Sequence, residues 1–237
     1  NDGENSRLYE AVKACSDFCI DLGINVPTGK DSMSMKQKYS DKEVLAPGTV
    51  IISATGQSDN FKKTVEPYLK DIESSLYYVD MSSCDYHLGG SALYQANNKI
   101  GNRCNDINSA KKFKNIFNTI QNMIKDGDIY SGHDISSGGM ITCLLEMCFV
   151  SDGIGLDIDL SSLEESDIVK VLFSENHGII FQADEKIEDS LTKSNVKFHK
   201  IGFLSRSSNL SVVKSDFNIN LDIDEYRKKW FKKSYLF

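Results

Sequence analysis

Two stretches of this chain gather residue types that could do chemistry. Gly29-Lys30-Asp31-Ser32 packs a flexible backbone, a cation, a carboxylate and a hydroxyl into four consecutive positions. Such a set can meet a phosphate, or it can form a polar turn between strands, and the residues alone leave both readings open. The surrounding residues 23–32 have some ingredients of a P-loop but not its spacing. That motif needs four residues between its glycines, Ser or Thr directly after Lys, and a helix behind it. Here five residues separate Gly23 from Gly29, Asp31 follows Lys30, and Pro27 removes a backbone donor.

The second stretch is His133-Asp134-Ile135-Ser136-Ser137-Gly138-Gly139. A strand ending in Asp, then hydroxyls and two glycines opening a helix, is a pattern suited to phosphate and metal. Helix-start N–H groups can face an anion, glycines let the backbone approach, and Asp134 can hold Mg²⁺ through oxygen. The competing reading is a capped helix, with Ser136 or Ser137 as N-cap and glycines that serve a tight turn. Gly89-Gly90-Ser91 reads more simply as a place where a strand and a helix pack closely, and His177 as a turn residue. No Ser/His/Asp triad, nucleophilic Cys elbow or His/Cys metal cluster can be assembled.

The elements that must position these residues follow from periodicity. Leu8, Ala11, Val12, Cys15, Phe18, Cys19 and Leu22 recur at helical spacing, with Gly23 as the left-handed stop. Alternation over 33–39 predicts a half-exposed strand, and 49–55 predicts a second, more buried one. One helix and two strands bury too little surface to enclose a core. Residues 1–60 are therefore expected to be the end of a larger domain. Residues 61–75, polar and containing Pro67, read as a connector. From 76 the chain alternates strands (76–79, 129–130, 156–160, 179–181, 196–203, 210–213, 217–223) with helices (107–124, 140–149, 168–173, 187–191). This interleaving predicts an α/β layer structure with helices against a mixed sheet over 76–215, followed by a tail at 216–237.

Composition narrows the function classes. The 237 residues are 40% hydrophobic and 26% charged, those of an ordinary soluble globular protein with no apolar run long enough to span a membrane. A net charge of −7 argues against a nucleic-acid partner. The first residues carry no secretory signal and no initiator Met, so the chain is expected to be cut from something longer. Six cysteines without a C-x-x-C spacing predict buried free thiols in a reducing cytoplasm rather than disulfides or zinc.

Five motifs occur in one order: LYEAVKA at 8–14, PTGKDSMSM at 27–35, LGGSAL at 88–93, GHDISSGGM at 132–140 and LLEMCF at 144–149. Together they resemble the large, single-chain phosphoribosylformylglycinamidine synthase family, and the resemblance runs from Leu8 to about Trp230. It implies two AIR-synthetase-like halves, each with an N-terminal and a C-terminal α/β domain. Residues 1–60 would then end the second N-terminal-type domain and 76–215 would be the second C-terminal-type domain. The tail would lead towards a glutaminase domain. The implied reaction is an ATP-dependent amidoligation that converts formylglycinamide ribonucleotide and glutamine into the amidine, through phosphorylation of the amide oxygen and displacement by ammonia.

The implied cofactors are Mg²⁺ and ATP or ADP. The implied partners are the remaining synthetase half and the glutaminase domain, besides the small-molecule substrates. By motif position, Asp134 matches a Mg²⁺ ligand and Ser136 a nucleotide contact at an auxiliary ADP site. Gly29 and Ser32 align with positions that meet ATP and substrate in smaller relatives, whereas Lys30 and Asp31 replace other residues there. Ser137 and the pair Asn176-His177 depart from the family pattern, so no role is carried to them. No catalytic residue falls in this chain, and the isolated chain is expected to be inactive. Two alternatives stand beside this reading: a non-catalytic ADP-binding scaffold, or another ATP-using enzyme of the AIR synthetase type.

Overall fold

The computed structural model describes residues 3–32 and 35–232, and the chain divides into two compact units, Asn1–Asn60 and Phe61–Phe237. In the first unit the helical stripe forms α1 (Glu4–Leu22), closed by Gly23 at φ 73°. Two three-residue strands follow, β1 (Lys36–Lys38) and β2 (Glu43–Leu45), paired antiparallel with Lys36 opposite Leu45. The strand expected over 33–39 is thus shorter, and its first two residues, Met33 and Ser34, lie outside the described residues. The strand expected over 49–55 does not form. Val50, Ile51 and Ile52 are 60%, 86% and 66% exposed. Their apolar character signals a need for burial, but a strand also needs a neighbour to take its backbone N–H and C=O groups. None of the described residues of this unit is buried.

The second unit runs β3 (Ser75–Asp80), α2 (Ala92–Ala96), α3 (Ala110–Asp126), β4 (Ile129–Asp134), α4 (Gly139–Cys148), β5 (Gly155–Asp159), α5 (Ile168–Phe173), β6 (Gly178–Ala183), α6 (Ile187–Lys193), β7 (His199–Ser205), β8 (Asn209–Lys214), β9 (Phe217–Asp222) and α7 (Ile223–Phe231). Among the described residues its strands make one seven-stranded sheet in the order β4-β6-β3-β7-β5-β8-β9. Neighbours pair antiparallel except β5 and β8, which run parallel. This is the α/β layer fold with a mixed sheet that the periodicity predicts.

Both faces of the sheet are covered. In β3, Leu76 and Tyr78 face one layer with Leu144, Met147 and Leu172, while Tyr77 and Val79 face another with Ile116, Ile120 and Leu191. A strand buried on both faces reads as a continuous apolar run, as 76–79 does. Fully burying each such side chain contributes about 1.5–3 kcal/mol.

One segment is drawn into this core from outside the predicted alternation, and one expected strand extends the sheet past residue 215. Leu69, in the stretch read as a connector, is 1% exposed. The buried Gln182 amide holds that stretch, accepting from the Lys70 N–H at 2.9 Å and donating to the Lys70 carbonyl at 2.8 Å and Ser74 Oγ at 2.7 Å. Residues 217–222, expected as a strand within the tail, pair as β9 with β8, and the Asp222 carboxylate accepts from the Glu225 N–H at 3.1 Å to cap α7.

Candidate functional site

β4 is an edge strand whose last two residues, His133 and Asp134, pair with Ile180 and Ile179 of β6. The Ile135 N–H donates to the Gly178 carbonyl at 2.8 Å, which keeps the backbone fixed one residue past the strand. Ile135 itself is buried, so Asp134, preceding it, is turned outward with its side chain 79% exposed. The chain then reverses tightly. The Gly139 N–H donates to the Ser136 carbonyl at 3.0 Å, and Gly138 and Gly139 take φ values of 93° and 75°. Both glycines are required. A Cβ on Gly138 would stand 2.3 Å from Thr142 Oγ1, and one on Gly139 would stand 2.6 Å from the Leu172 carbonyl oxygen.

The cap of α4 differs from the sequence expectation. Neither Ser136 nor Ser137 occupies the N-cap; Gly138 does, with no side-chain cap bond. Ser136 Oγ instead accepts from the Ser137 N–H at 2.6 Å. The Gly138 N–H donates to Glu175 Oε1 at 2.9 Å, and the same oxygen accepts from the Ala92 N–H at 2.8 Å. One carboxylate therefore satisfies the starts of α2 and α4 together. The N–H groups of residues 137–139 are all committed within the protein, two to Ser136 and that of Gly138 to Glu175. What the loop still offers outward is the Asp134 carboxylate and the Ser136 hydroxyl hydrogen.

His133 lies under Asp134. Its Nδ1 donates to the Asp134 carbonyl at 2.7 Å and stands 3.5 Å from Asp134 Oδ1, while Nε2 stands 3.0 Å from Glu146 Oε2. Glu146 and Glu175 were not singled out from sequence. Glu146 carried a signal, since the one charged residue in the largely apolar run 140–149 needs a partner. Glu175 carried none.

Gly89-Gly90-Ser91 is a packing turn, as read. A Cβ on Gly89 would meet the Arg103 carbonyl at 2.2 Å, and the Ser91 hydroxyl donates to the Leu88 carbonyl at 2.7 Å. A cleft of about 1260 Å³ elsewhere in the second unit is lined by Tyr78, His87, Lys112 and His199, among others, and by neither Asp134 nor Ser136.

The other candidate motif belongs to the first unit. Gly29, Lys30, Asp31 and Ser32 are all exposed, and the Lys30 ammonium donates to Ser32 Oγ. A Cβ on Gly29 would meet nothing within 4 Å.

A Mg²⁺ ion fits Asp134 in one sense. Mg²⁺ keeps several waters and commonly takes one or two carboxylates besides phosphate oxygens, and a single exposed carboxylate beside a hydroxyl is such a half-site. Among the described residues no group of three His, Cys, Asp or Glu side chains is placed to hold a metal without other ligands.

Residues 1–57 match the FGAR-AT PurM_N-like domain, and residues 82–214 match the AIR synthase related protein, C-terminal domain. The chain is 38% identical over 192 residues to the probable chloroplastic/mitochondrial phosphoribosylformylglycinamidine synthase of Arabidopsis thaliana, covering 80% of this chain and 14% of that protein. Among solved structures, Thermotoga maritima PurL complexed with FGAR is similar at a TM-score of 0.57 and 12% identity, over 70% of this chain and 30% of that one. The same organism's PurL complexed with ATP gives 0.52 at 12% identity, over 69% and 27%. At these identities the likeness to the solved structures is one of fold. The resemblance read from the five sequence motifs is borne out by the two family matches and the plant relative.

Proposed function

This chain belongs to the AIR synthase related family through its C-terminal domain, and from that premise we propose that it is a segment of a phosphoribosylformylglycinamidine synthase. The observation that carries this is the order of two matches in one chain, an FGAR-AT PurM_N-like domain followed by an AIR synthase related C-terminal domain. The chain spans 14% of the length of the plant relative. The activity proposed for the whole protein is therefore one to which this segment contributes: ATP- and glutamine-dependent conversion of formylglycinamide ribonucleotide to the amidine in purine biosynthesis. Its partners would be the remaining synthetase half and a glutaminase domain.

Within that protein, Asp134 would hold Mg²⁺ and Ser136 would donate its hydroxyl hydrogen to a phosphate of bound ATP or ADP. The metal, when bound, neutralises phosphate charge. The chain's own contribution is positional. β4 and the turn at 136–139 present the two groups on a backbone that Glu175 and Gly178 hold. In the first unit, Gly29 is constrained by neither crowding nor a positive φ, which supports a backbone left open for a ligand, with Lys30, Asp31 and Ser32 beside it.

A second reading, a non-catalytic site that keeps ADP bound, is favoured by the lone carboxylate at Asp134. A nucleotide held there would add to folded-state stability by mass action. The two roles coexist in one enzyme and divide by residue.

A reducing cytoplasmic location is proposed from the cysteines, all free among the described residues. Burial pushes the Cys148 thiol up to about 12 and that of Cys143 higher still. Only Cys143 and Cys148 are buried, whereas Cys15, Cys19 and Cys84 are half-buried and Cys104 is exposed, so the expectation of buried thiols holds for two of the six. No described helix is long and apolar enough to cross a membrane.

The test uses the full-length protein with formylglycinamide ribonucleotide, ATP, Mg²⁺ and glutamine. Formation of amidine with release of ADP and phosphate is expected. Ser32→Ala should lower turnover, whereas Asp134→Ala should lower the ADP that copurifies. ATP turnover on a different amide or carboxylate substrate, with none on this one, would sink the proposal.

A further inference from the structure

α4 carries one charged residue in an otherwise uncharged, largely apolar helix. Leu144, Leu145, Met147 and Cys148 around Glu146 are all buried, and the Glu146 side chain is only 24% exposed. A carboxylate in such a setting carries a desolvation penalty unless something offsets it. What it meets is His133 Nε2 at 3.0 Å. The opposite ring nitrogen donates to the carbonyl of the next residue, Asp134, at 2.7 Å. The ring is itself 18% exposed, so its plane and rotamer are set by packing and by these two contacts together. α4 also reaches the same residue through Cys143, whose Sγ is 3.8 Å from the His133 carbonyl. A buried helix thus grips the end of an edge strand at the residue before the one outward carboxylate of the site.

We infer that Glu146 is a positioning residue for this site: through His133 it fixes the end of β4 from which the Asp134 carboxylate projects towards a metal–nucleotide complex. The inference rests on the reading that Asp134 meets such a complex. β6 holds the end of β4 from one side, through Asp134 and the Ile135 N–H, but no strand flanks its other side, where the end is held only by what packs against it. Glu146 supplies that hold from the helix behind. The carboxylate then arrives at the cation already oriented, and less ordering entropy is lost on binding. A purely structural contact would stabilise the fold without altering metal affinity.

The experiment measures binding rather than turnover. Mn²⁺ replaces Mg²⁺ in the full-length enzyme stripped of nucleotide, ADP is added, and free Mn²⁺ is followed by electron paramagnetic resonance. Asp134→Ala, Glu146→Met, His133→Asn and the Glu146→Met/His133→Asn pair are compared with wild type. Glu146→Met, of similar length but without an oxygen to meet the ring, is expected to weaken Mn²⁺ binding about 10-fold, the scale of lost outer-sphere support. His133→Asn should weaken it similarly, and the pair no more than either alone, because both changes cut the same link. Unchanged affinity in Glu146→Met, or additive losses in the pair, would overturn the positioning role while Asp134→Ala still lost the metal. Unchanged affinity in Asp134→Ala would remove the metal reading itself and this inference with it. Melting of the nucleotide-free proteins separates general destabilisation, since a fall in stability without a fall in affinity also overturns the role. Should Glu146→Met not fold, His133→Asn carries the same test in the same titration.

Discussion

Glu175 shows how one atom can organise a site without touching a ligand. Its Oε1 accepts from the Gly138 and Ala92 N–H groups, joining the turn that carries Ser136 to the LGGSAL helix. A charged acceptor at two helix starts is favoured by their exposed donors and partial positive charge. Its neighbours hold it in place: the Ser174 hydroxyl donates to Asn176 Oδ1 at 3.0 Å, and Asn105 Nδ2 donates to Ser174 Oγ at 3.0 Å. Glu175→Ala would leave both N–H groups without their acceptor. The expected loss is about 2–6 kcal/mol, from roughly 1–3 kcal/mol for each of the two groups left unsatisfied, with nucleotide affinity falling alongside. Chemical denaturation of the nucleotide-free protein measures the first effect; a loss under about 0.5 kcal/mol would mean that water replaces the carboxylate, since exposed changes stay within that range.

At the scale of elements, the sheet decides what the connecting segments become. Residues 61–75 contain no described helix or strand before Ser75, yet Gln182 of β6 pulls them onto the sheet. Its amide bonds the backbone of Lys70 on both sides, and its oxygen also accepts from the Ser131 hydroxyl at 2.9 Å. The same side chain thereby ties β4, which ends in Asp134, to β6 and to the incoming chain. Gln182→Leu keeps the volume but removes every one of these partners. It is expected to destabilise the second unit by about 3 kcal/mol, the cost of several buried groups left unpaired. Hydrogen exchange at Lys70 should rise in the variant; unchanged protection there would show that Leu69 burial alone holds the segment. Lys214 works the same way on the far side, its ammonium donating to the Leu160 and Leu163 carbonyls at 3.1 and 2.6 Å and holding the turn after β5.

At the scale of the molecule, the two units differ in kind. The second has a two-faced core, whereas no described residue of the first is buried, and Tyr9, Val12 and Ile20 of α1 are 68%, 52% and 71% exposed. A segment of residues 61–237 is therefore expected to melt cooperatively by itself. Its calorimetric enthalpy should be about 120 kcal/mol, from roughly 0.7 kcal/mol per residue near 60 °C. Residues 1–60 alone should show no cooperative transition by circular dichroism or calorimetry. A sharp transition in that short piece would contradict the account of a core-less unit.

Much of this was legible in the sequence because it depends on local order. The stripe of α1 and its stop at Gly23, the double-faced run of β3, and the helix at 168–173 follow from side-chain period and backbone preference, which neighbours in sequence determine. So did the chemical types at Asp134 and Ser136, and the five motifs that marked the family. What the tertiary structure decided depends on residues far apart in the chain. Periodicity records that 49–55 is apolar, but pairing requires a partner strand, and no described strand stands there. Spacing marked 136–139 as a turn with free donors. The carboxylate that takes one of them, the Gly138 N–H, comes from Glu175, 37 residues further on. Glu146 was not singled out, though it is the one charge in a largely apolar helix, and only the packing of α4 against the end of β4 placed it 3.0 Å from His133. A sequence states which groups must find partners; the fold chooses the partners, because distance in space and distance along the chain are set by different forces.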